Sequence, residues 1–183
     1  MRLFVALAIS DEIRASVAGL IRELRGLDAE AKWVRPEQLH VTLKFIGEIS
    51  ADQLPRIGET LETVKSDTSA NLEFRGLGFF PNVRRPAVIW AGIRASENVA
   101  GLADEINRLL EPLGIAREAK SFVPHLTIAR LKRTRMNAAL AEEIRKSESR
   151  AFAAFSTGKF HLIESKLNSS GAEYIPVRSF SFC

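Results

Sequence analysis

Apolar residues recur along the chain in two alternating rhythms. Residues 2–9 are apolar at both parities, as in a strand buried on both faces. Ser10 then caps a segment with Asp11 and Glu12 in its first turn and Ile13, Val17, Leu20, Ile21 and Leu24 at helical spacing, stopped by Gly26. Strand character returns over residues 39–46, helical spacing over 51–64 (Leu54, Ile57, Leu61, Val64), and strand character again over 72–80. The same order restarts with a strand over 87–93, a helix carrying Val99, Leu102, Ile106, Leu109 and Leu113 with Gly114 as its stop, a strand over 124–131, a helix from Asn137 through Ile144, and a strand over 159–167. A turn at 168–171 leads into a last strand, Tyr174 to Phe180.

The predicted class is α+β. It comprises two pseudo-symmetric β-α-β-α-β halves, approximately residues 1–80 and 86–168 with a final strand over 173–182. All of it reads as one domain over 1–183. Helix starts near Asp11 and Ala51 have counterparts 86 residues later, near Glu97 and Asn137. That periodicity is the mark of an internal duplication.

The candidate chemistry sits on the middle strand of each half. His40-Val41-Thr42-Leu43 and His125-Leu126-Thr127-Ile128 are both H-x-T-x with apolar x positions, and their histidines lie 85 residues apart. Strand alternation puts the imidazole and the hydroxyl on one face and the apolar pair on the other. The chain has seven threonines. At that frequency, two of three histidines being followed by Thr at the second position by chance has odds of about half a percent, so the pair is read as a motif.

Two imidazoles facing each other across a cleft suit concerted acid–base work, because a ring with a pKa of about 6.5 can serve in either protonation state near neutrality. One ring deprotonates a water that attacks phosphorus, the other protonates the departing ester oxygen, and Thr42 and Thr127 donate to the non-bridging oxygens. A two-histidine zinc site is disfavoured, since neither strand offers a second spaced histidine and no third ligand is evident. The third histidine, His161, has no Thr two residues on and reads as structural.

Composition narrows the setting. With 46% apolar and 26% charged residues the chain is ordinary globular material, and no apolar run approaches the ~20 residues of a membrane span. The opening apolar run is cut by Ser10, Asp11 and Glu12 instead of a cleavage site, which predicts a cytoplasmic protein without membrane association. The single cysteine, Cys183, excludes an internal disulfide and a cysteine metal site. Neither cofactor nor metal is expected. A net charge of +4 favours an anionic partner.

At Met1-Arg2-Leu3-Phe4-Val5-Ala6-Leu7, Trp33-Val34, Leu39-His40-Val41-Thr42-Leu43-Lys44-Phe45-Ile46-Gly47 and Phe122-Val123-Pro124-His125-Leu126-Thr127-Ile128-Ala129-Arg130, the chain resembles the 2H phosphoesterase superfamily. Within it, the chain looks like the RNA 2',3'-cyclic phosphodiesterases once named 2'-5' RNA ligases. The resemblance implies a bilobal α+β catalytic domain over 1–183, its two halves forming two sheets around a central cleft with helices on the outer faces. The resemblance implies hydrolysis of RNA or nucleoside 2',3'-cyclic phosphates to 2'-phosphate ends, without metal, with His40 as proton donor and His125 as proton acceptor. It also implies a second activity, joining tRNA-half-like ends through a 2'-5' linkage. A non-catalytic RNA-end-binding module is the alternative of another class, opposed by the presence of both complete motifs.

The resemblance places Arg130 at the phosphate, where its fork could clamp oxygens. Strict alternation puts Arg130 opposite His125, so its entry needs the strand to end or twist there. Lys44 alternates onto the His40 face and would add positive charge. The 78–86 linker mixes aromatics and arginines, making Phe80 a candidate to stack a base and Arg84 one to steer a phosphate. Tyr174 is a second candidate for stacking. The basic run over 130–135 is a candidate backbone tract. The partner is RNA with a cyclic phosphate end, or a small cyclic nucleotide, acted on by a monomer.

Overall fold

The computed structural model describes residues 1–27, 30–82, 84–132, 137–169 and 171–183. Among the described residues are nine strands and four α-helices: β1 (Arg2–Ala8), α1 (Asp11–Leu27), β2 (Lys32–Trp33), β3 (His40–Glu48), α2 (Leu54–Glu62), β4 (Ala70–Phe80), β5 (Val88–Ala95), α3 (Glu97–Leu110), β6 (His125–Arg130), α4 (Ala138–Lys146), β7 (Ala151–Thr157), β8 (Lys159–Asn168) and β9 (Gly171–Ser181). The helices form where the apolar stripe predicts them. In α1 the buried residues are Ile13, Val17, Leu20, Ile21 and Leu24, and the acidic first turn complements the helix dipole. No helix of the described residues is long and apolar enough to cross a membrane.

The strands make two antiparallel sheets, one ordered β3-β1-β8-β9 and the other β2-β6-β5-β4-β7. The two orders correspond, with β1 matching β5, β3 matching β6, and β8 matching β4. The last match is an exchange. β4, from the first half of the sequence, pairs with β5 in the second sheet, while β8, from the second half, pairs with β1 in the first. Each histidine strand therefore lies beside the opening strand of its own half, and each sheet is completed by two strands from the other half, β8 and β9 in the first and β2 and β4 in the second. The helices cross over too. α1 packs on β7 and α4 on β4, whereas α3 packs on β3 and α2 on β9.

One apolar core runs through both halves, including Leu3, Val5 and Leu7 of β1, Val41 and Leu43 of β3, and Leu126 and Ile128 of β6. A small second cluster of Phe4, Ala6 and Ile163, with Tyr174 against it, lies apart from that core. Phe4 and Ala6 alternate with the core residues of β1, so this cluster occupies the opposite face of the first sheet.

Two strands were not anticipated from sequence. β2 has only two residues. β7, Ala151-Phe152-Ala153-Ala154-Phe155-Ser156-Thr157, sits at a sheet edge, and a register shift at Phe152 confines its alternating burial to residues 153–157.

Candidate active site

His40 opens β3 and His125 opens β6, and both line one cleft of about 730 Å³ together with Thr42 and Thr127. The two rings are anchored identically. His40 Nδ1 lies 2.6 Å from the Gln38 carbonyl, and His125 Nδ1 lies 2.8 Å from the Val123 carbonyl, each two residues upstream. A carbonyl only accepts, so each Nδ1 carries the proton and donates. Each Nε2 is thereby left as the titrating atom, lone pair outward in the neutral ring. The anchoring fixes the tautomer that proton transfer requires.

Aromatic rings hold the imidazoles from the side. Phe4 lies 4.6 Å from His40, and Tyr174 meets His40 edge-on at 5.1 Å. Phe80 meets His125 edge-on at 4.9 Å and is itself 5.3 Å from Trp90. Trp90 needs a bare backbone opposite it. A Cβ added to Gly78, its partner across the β4–β5 ladder, would lie 2.3 Å from the indole. Tyr174 and Phe80 both line the cleft, so the structure brings these two expected residues to the histidines.

A backbone irregularity decides the fate of the residues after each motif. Against β1, Val5 pairs with Lys44 and Ala6 with Thr42, leaving Leu43 as an extra residue. Against β5, Ile89 pairs with Ala129 and Trp90 with Thr127, leaving Ile128 extra. A bulge of this kind puts two consecutive side chains on one face and shifts the alternation by one. Leu43 and Lys44 are accordingly both buried, as are Ile128 and Ala129. Beyond the bulges Phe45 and Arg130, again 85 residues apart, return to the cleft.

The expectation for Lys44 is therefore corrected. It is 2% exposed and does not line the cleft. Its ammonium donates to the Ala116 carbonyl and lies 3.8 Å from the Glu118 carboxylate. Burial lowers its pKa, partly offset by Glu118. The strict alternation that set Arg130 opposite His125 is corrected by the same device, since Arg130 lines the cleft with both histidines. Arg84 is exposed in the β4–β5 turn, where its backbone N–H donates to Asn82 Oδ1, and it is not part of the cleft wall. Residues 133–136 of the basic run lie outside the described residues. His161, on β8, pairs with the Ser179 hydroxyl at 2.7 Å and does not line the cleft.

Phe4, Phe45, Lys32, Arg35 and Gln38 line the cleft without having been singled out as site residues. Phe4 was legible in principle, as the β1 residue out of phase with Leu3 and Val5. Lys32 faces Arg130 across the β2–β6 ladder. Arg35 and Gln38 both donate to the Ala172 carbonyl, tying the segment before β3 to β9. Among the described residues the cleft wall carries Arg2, Lys32, Arg35 and Arg130 and no carboxylate. Its field selects anions. His40 answers to that environment: its pKa falls from 6.5 to about 4, chiefly because burial disfavours the charged ring, with His125, Arg130 and Arg14 adding repulsion against the partly compensating Gln38 carbonyl. Among the described residues no group of three or more His, Cys, Asp or Glu side chains is arranged to hold a metal ion.

Two tautomer-fixed imidazoles, each with a hydroxyl beside it, in a cleft of positive charge are an arrangement capable of acid–base chemistry on a bound anion. Comparison with known proteins gives the same class. The model of the 2'-5' RNA ligase superfamily matches residues 10–168, and the chain belongs to that family. It is 38% identical over 180 residues to an RNA 2',3'-cyclic phosphodiesterase of Archaeoglobus fulgidus, covering 98% of this chain and 99% of that one. An Aquifex aeolicus protein of the same name is 36% identical over 183 residues, covering 98% and 96%. Among solved structures, TT0787 of Thermus thermophilus superposes with a TM-score of 0.80 at 28% identity, over 100% of this chain and 98% of that one. Escherichia coli LigT in complex with 3'-AMP shares the fold, with a TM-score of 0.78 at 20% identity over 99% and 97% of the two chains.

Proposed function

We propose that this protein hydrolyses 2',3'-cyclic phosphates on RNA ends or nucleosides to 2'-phosphates, with His125 as proton acceptor and His40 as proton donor. The observation that carries this is the matched anchoring of the two rings, which turns both Nε2 atoms into proton-transfer positions within one anion-selective cleft. The homologues named RNA 2',3'-cyclic phosphodiesterase supply the substrate class.

His125 Nε2 takes a proton from water as its oxygen bonds to phosphorus. The bond from phosphorus to O3' breaks, and O3' leaves with the proton from His40 Nε2. The product has a 2'-phosphate and a free 3'-hydroxyl. Thr42, Thr127 and Arg130 donate to the non-bridging oxygens, where charge accumulates in the transition state. His40 carries about one proton per thousand molecules at pH 7 in the empty cleft. The negative charge of the substrate is what restores its proton, so the donor is armed by the molecule it acts on.

The test is direct. Adenosine 2',3'-cyclic phosphate incubated with the protein should yield 2'-AMP, and His40→Asn and His125→Asn should each lower kcat by about 10²–10⁴ while leaving the circular dichroism spectrum unchanged. Formation of 3'-AMP would reverse the donor assignment relative to the two ester oxygens. An unchanged rate in either variant would remove that ring from the mechanism.

A further inference from the structure

A second cavity of about 640 Å³ opens beside the catalytic cleft and shares Thr42, Phe45 and His125 with it. We propose that this cavity is a subsite for the nucleotide preceding the cyclic phosphate, so that the protein prefers an RNA strand to a mononucleotide. The inference rests on the cyclic phosphodiesterase reading and extends it to the part of the strand away from the reacting phosphate.

Three features fit the cavity to a nucleotide. The wall is apolar and bare: Phe45, shared with the catalytic cleft, is 56% exposed, and Val123, next to the half-buried Phe122 in the second cavity, is 55% exposed. They are two of only a few large apolar side chains so exposed among the described residues, and Phe45 lies at the seam between the two cavities. An exposed ring whose edge is backed by Phe4 at 6.1 Å is a ready platform for a base. The volume lies within the usual range for a bound small molecule of nucleotide size.

The cations in the wall are sorted, and one carboxylate there, the exposed Asp104, has no ion-pair partner among the described residues. Arg108 is bound to Glu105 at 2.7 Å, Arg117 to Glu111 at 2.9 Å, and Lys44 lies near Glu118. Lys120 is exposed, lines the cavity, and has no such partner among the described residues, leaving its ammonium for a backbone phosphate. Opposite, α3 presents Gly101 to the cavity, and a Cβ there would meet nothing within 4 Å. Glycine inside a helix costs about 1 kcal/mol relative to alanine, and no packing contact requires it here.

Gly101 also supplies the test, because a side chain there would enter the cavity without displacing neighbours and would favour the helix. The readout is the ratio of kcat/KM for a dinucleotide ending in a 2',3'-cyclic phosphate to that for the corresponding nucleoside 2',3'-cyclic phosphate. Wild type should favour the dinucleotide about tenfold or more, the order expected for one stacked base. Gly101→Leu and Phe45→Ala should each bring the ratio close to one, and Lys120→Ala should lower it and weaken its salt dependence. A wild-type ratio near one would overturn the subsite, as would a ratio unchanged in Gly101→Leu. Equal loss on both substrates would show a structural effect and also overturn it. Absence of activity on either substrate in wild type would instead overturn the phosphodiesterase reading.

Discussion

Lowering His40 to about 4 has a size that can be worked out and measured. Going from 6.5 to about 4 amounts to about 3.4 kcal/mol of bias toward the neutral ring. If an anion in the cleft raised the ring to about 7, linkage would require the anion to bind the protonated form about 1,000-fold more tightly than the neutral one. Its apparent affinity should then rise by close to tenfold for each unit that pH falls between 7 and 4. Sulfate is a suitable probe because its charge does not change over this range. Calorimetric titration at steps from pH 7 to 4.5 measures the slope, and the His40 Hε1 resonance reports the ring itself. In His40→Asn the steep part of the slope should vanish while any contribution of His125 remains. The same shift bears on stability. A folded-state pKa below the unfolded value means that the unfolded chain binds the extra proton, so this contribution is fully present above about pH 6.5 and is lost as pH falls toward 4. At pH 4.5 about 2.5 kcal/mol should be gone without ligand, visible as a urea midpoint that falls less in His40→Asn than in wild type. A ligand-free His40 titrating at or above 6.5, or sulfate affinity indifferent to pH, would refute the argument from burial.

Two further substitutions probe the frame around the histidines. Arg130→Ala should lower kcat/KM by about 10- to 100-fold, the worth of a charge-assisted hydrogen bond to phosphate, and Arg130→Lys should recover only part of it because an ammonium lacks the fork; steady-state kinetics decide. Gly78→Ala forces a methyl group into the Trp90 indole and should cost about 1–3 kcal/mol in denaturant unfolding, with a fall in kcat as Phe80 shifts against His125.

The parts of this molecule that were legible in its sequence are those governed by local periodicity. The stripe Ile13, Val17, Leu20, Ile21 and Leu24 gave α1, and alternation through His40-Val41-Thr42 and His125-Leu126-Thr127 gave the two reactive faces. Alternation failed one residue later, at Leu43 and Ile128. A bulge is defined by a partner strand's register, here that of β1 and β5, and leaves no mark in the bulged strand's own composition. That is why alternation put Lys44 in the cleft and set Arg130 against the position that the family resemblance implied for it. The exchange of β4 and β8 was equally invisible, being a matter of which distant strands pair. β7 escaped because Phe152 and Phe155 are three apart, out of step with a strand.

The exchanged strands also govern how the molecule can be taken apart. A chain severed in the turn after Phe80 yields a front piece holding β4 without β5 and a back piece holding β8 without β1. Each piece carries one of the two cleft histidines and keeps two strands that belong in the other's sheet, β2 and β4 in the front piece and β8 and β9 in the back. Neither has a complete sheet of its own, yet together they hold every strand of both. The enzyme is thereby a natural candidate for conditional reconstitution, in which activity reports that two fragments have met.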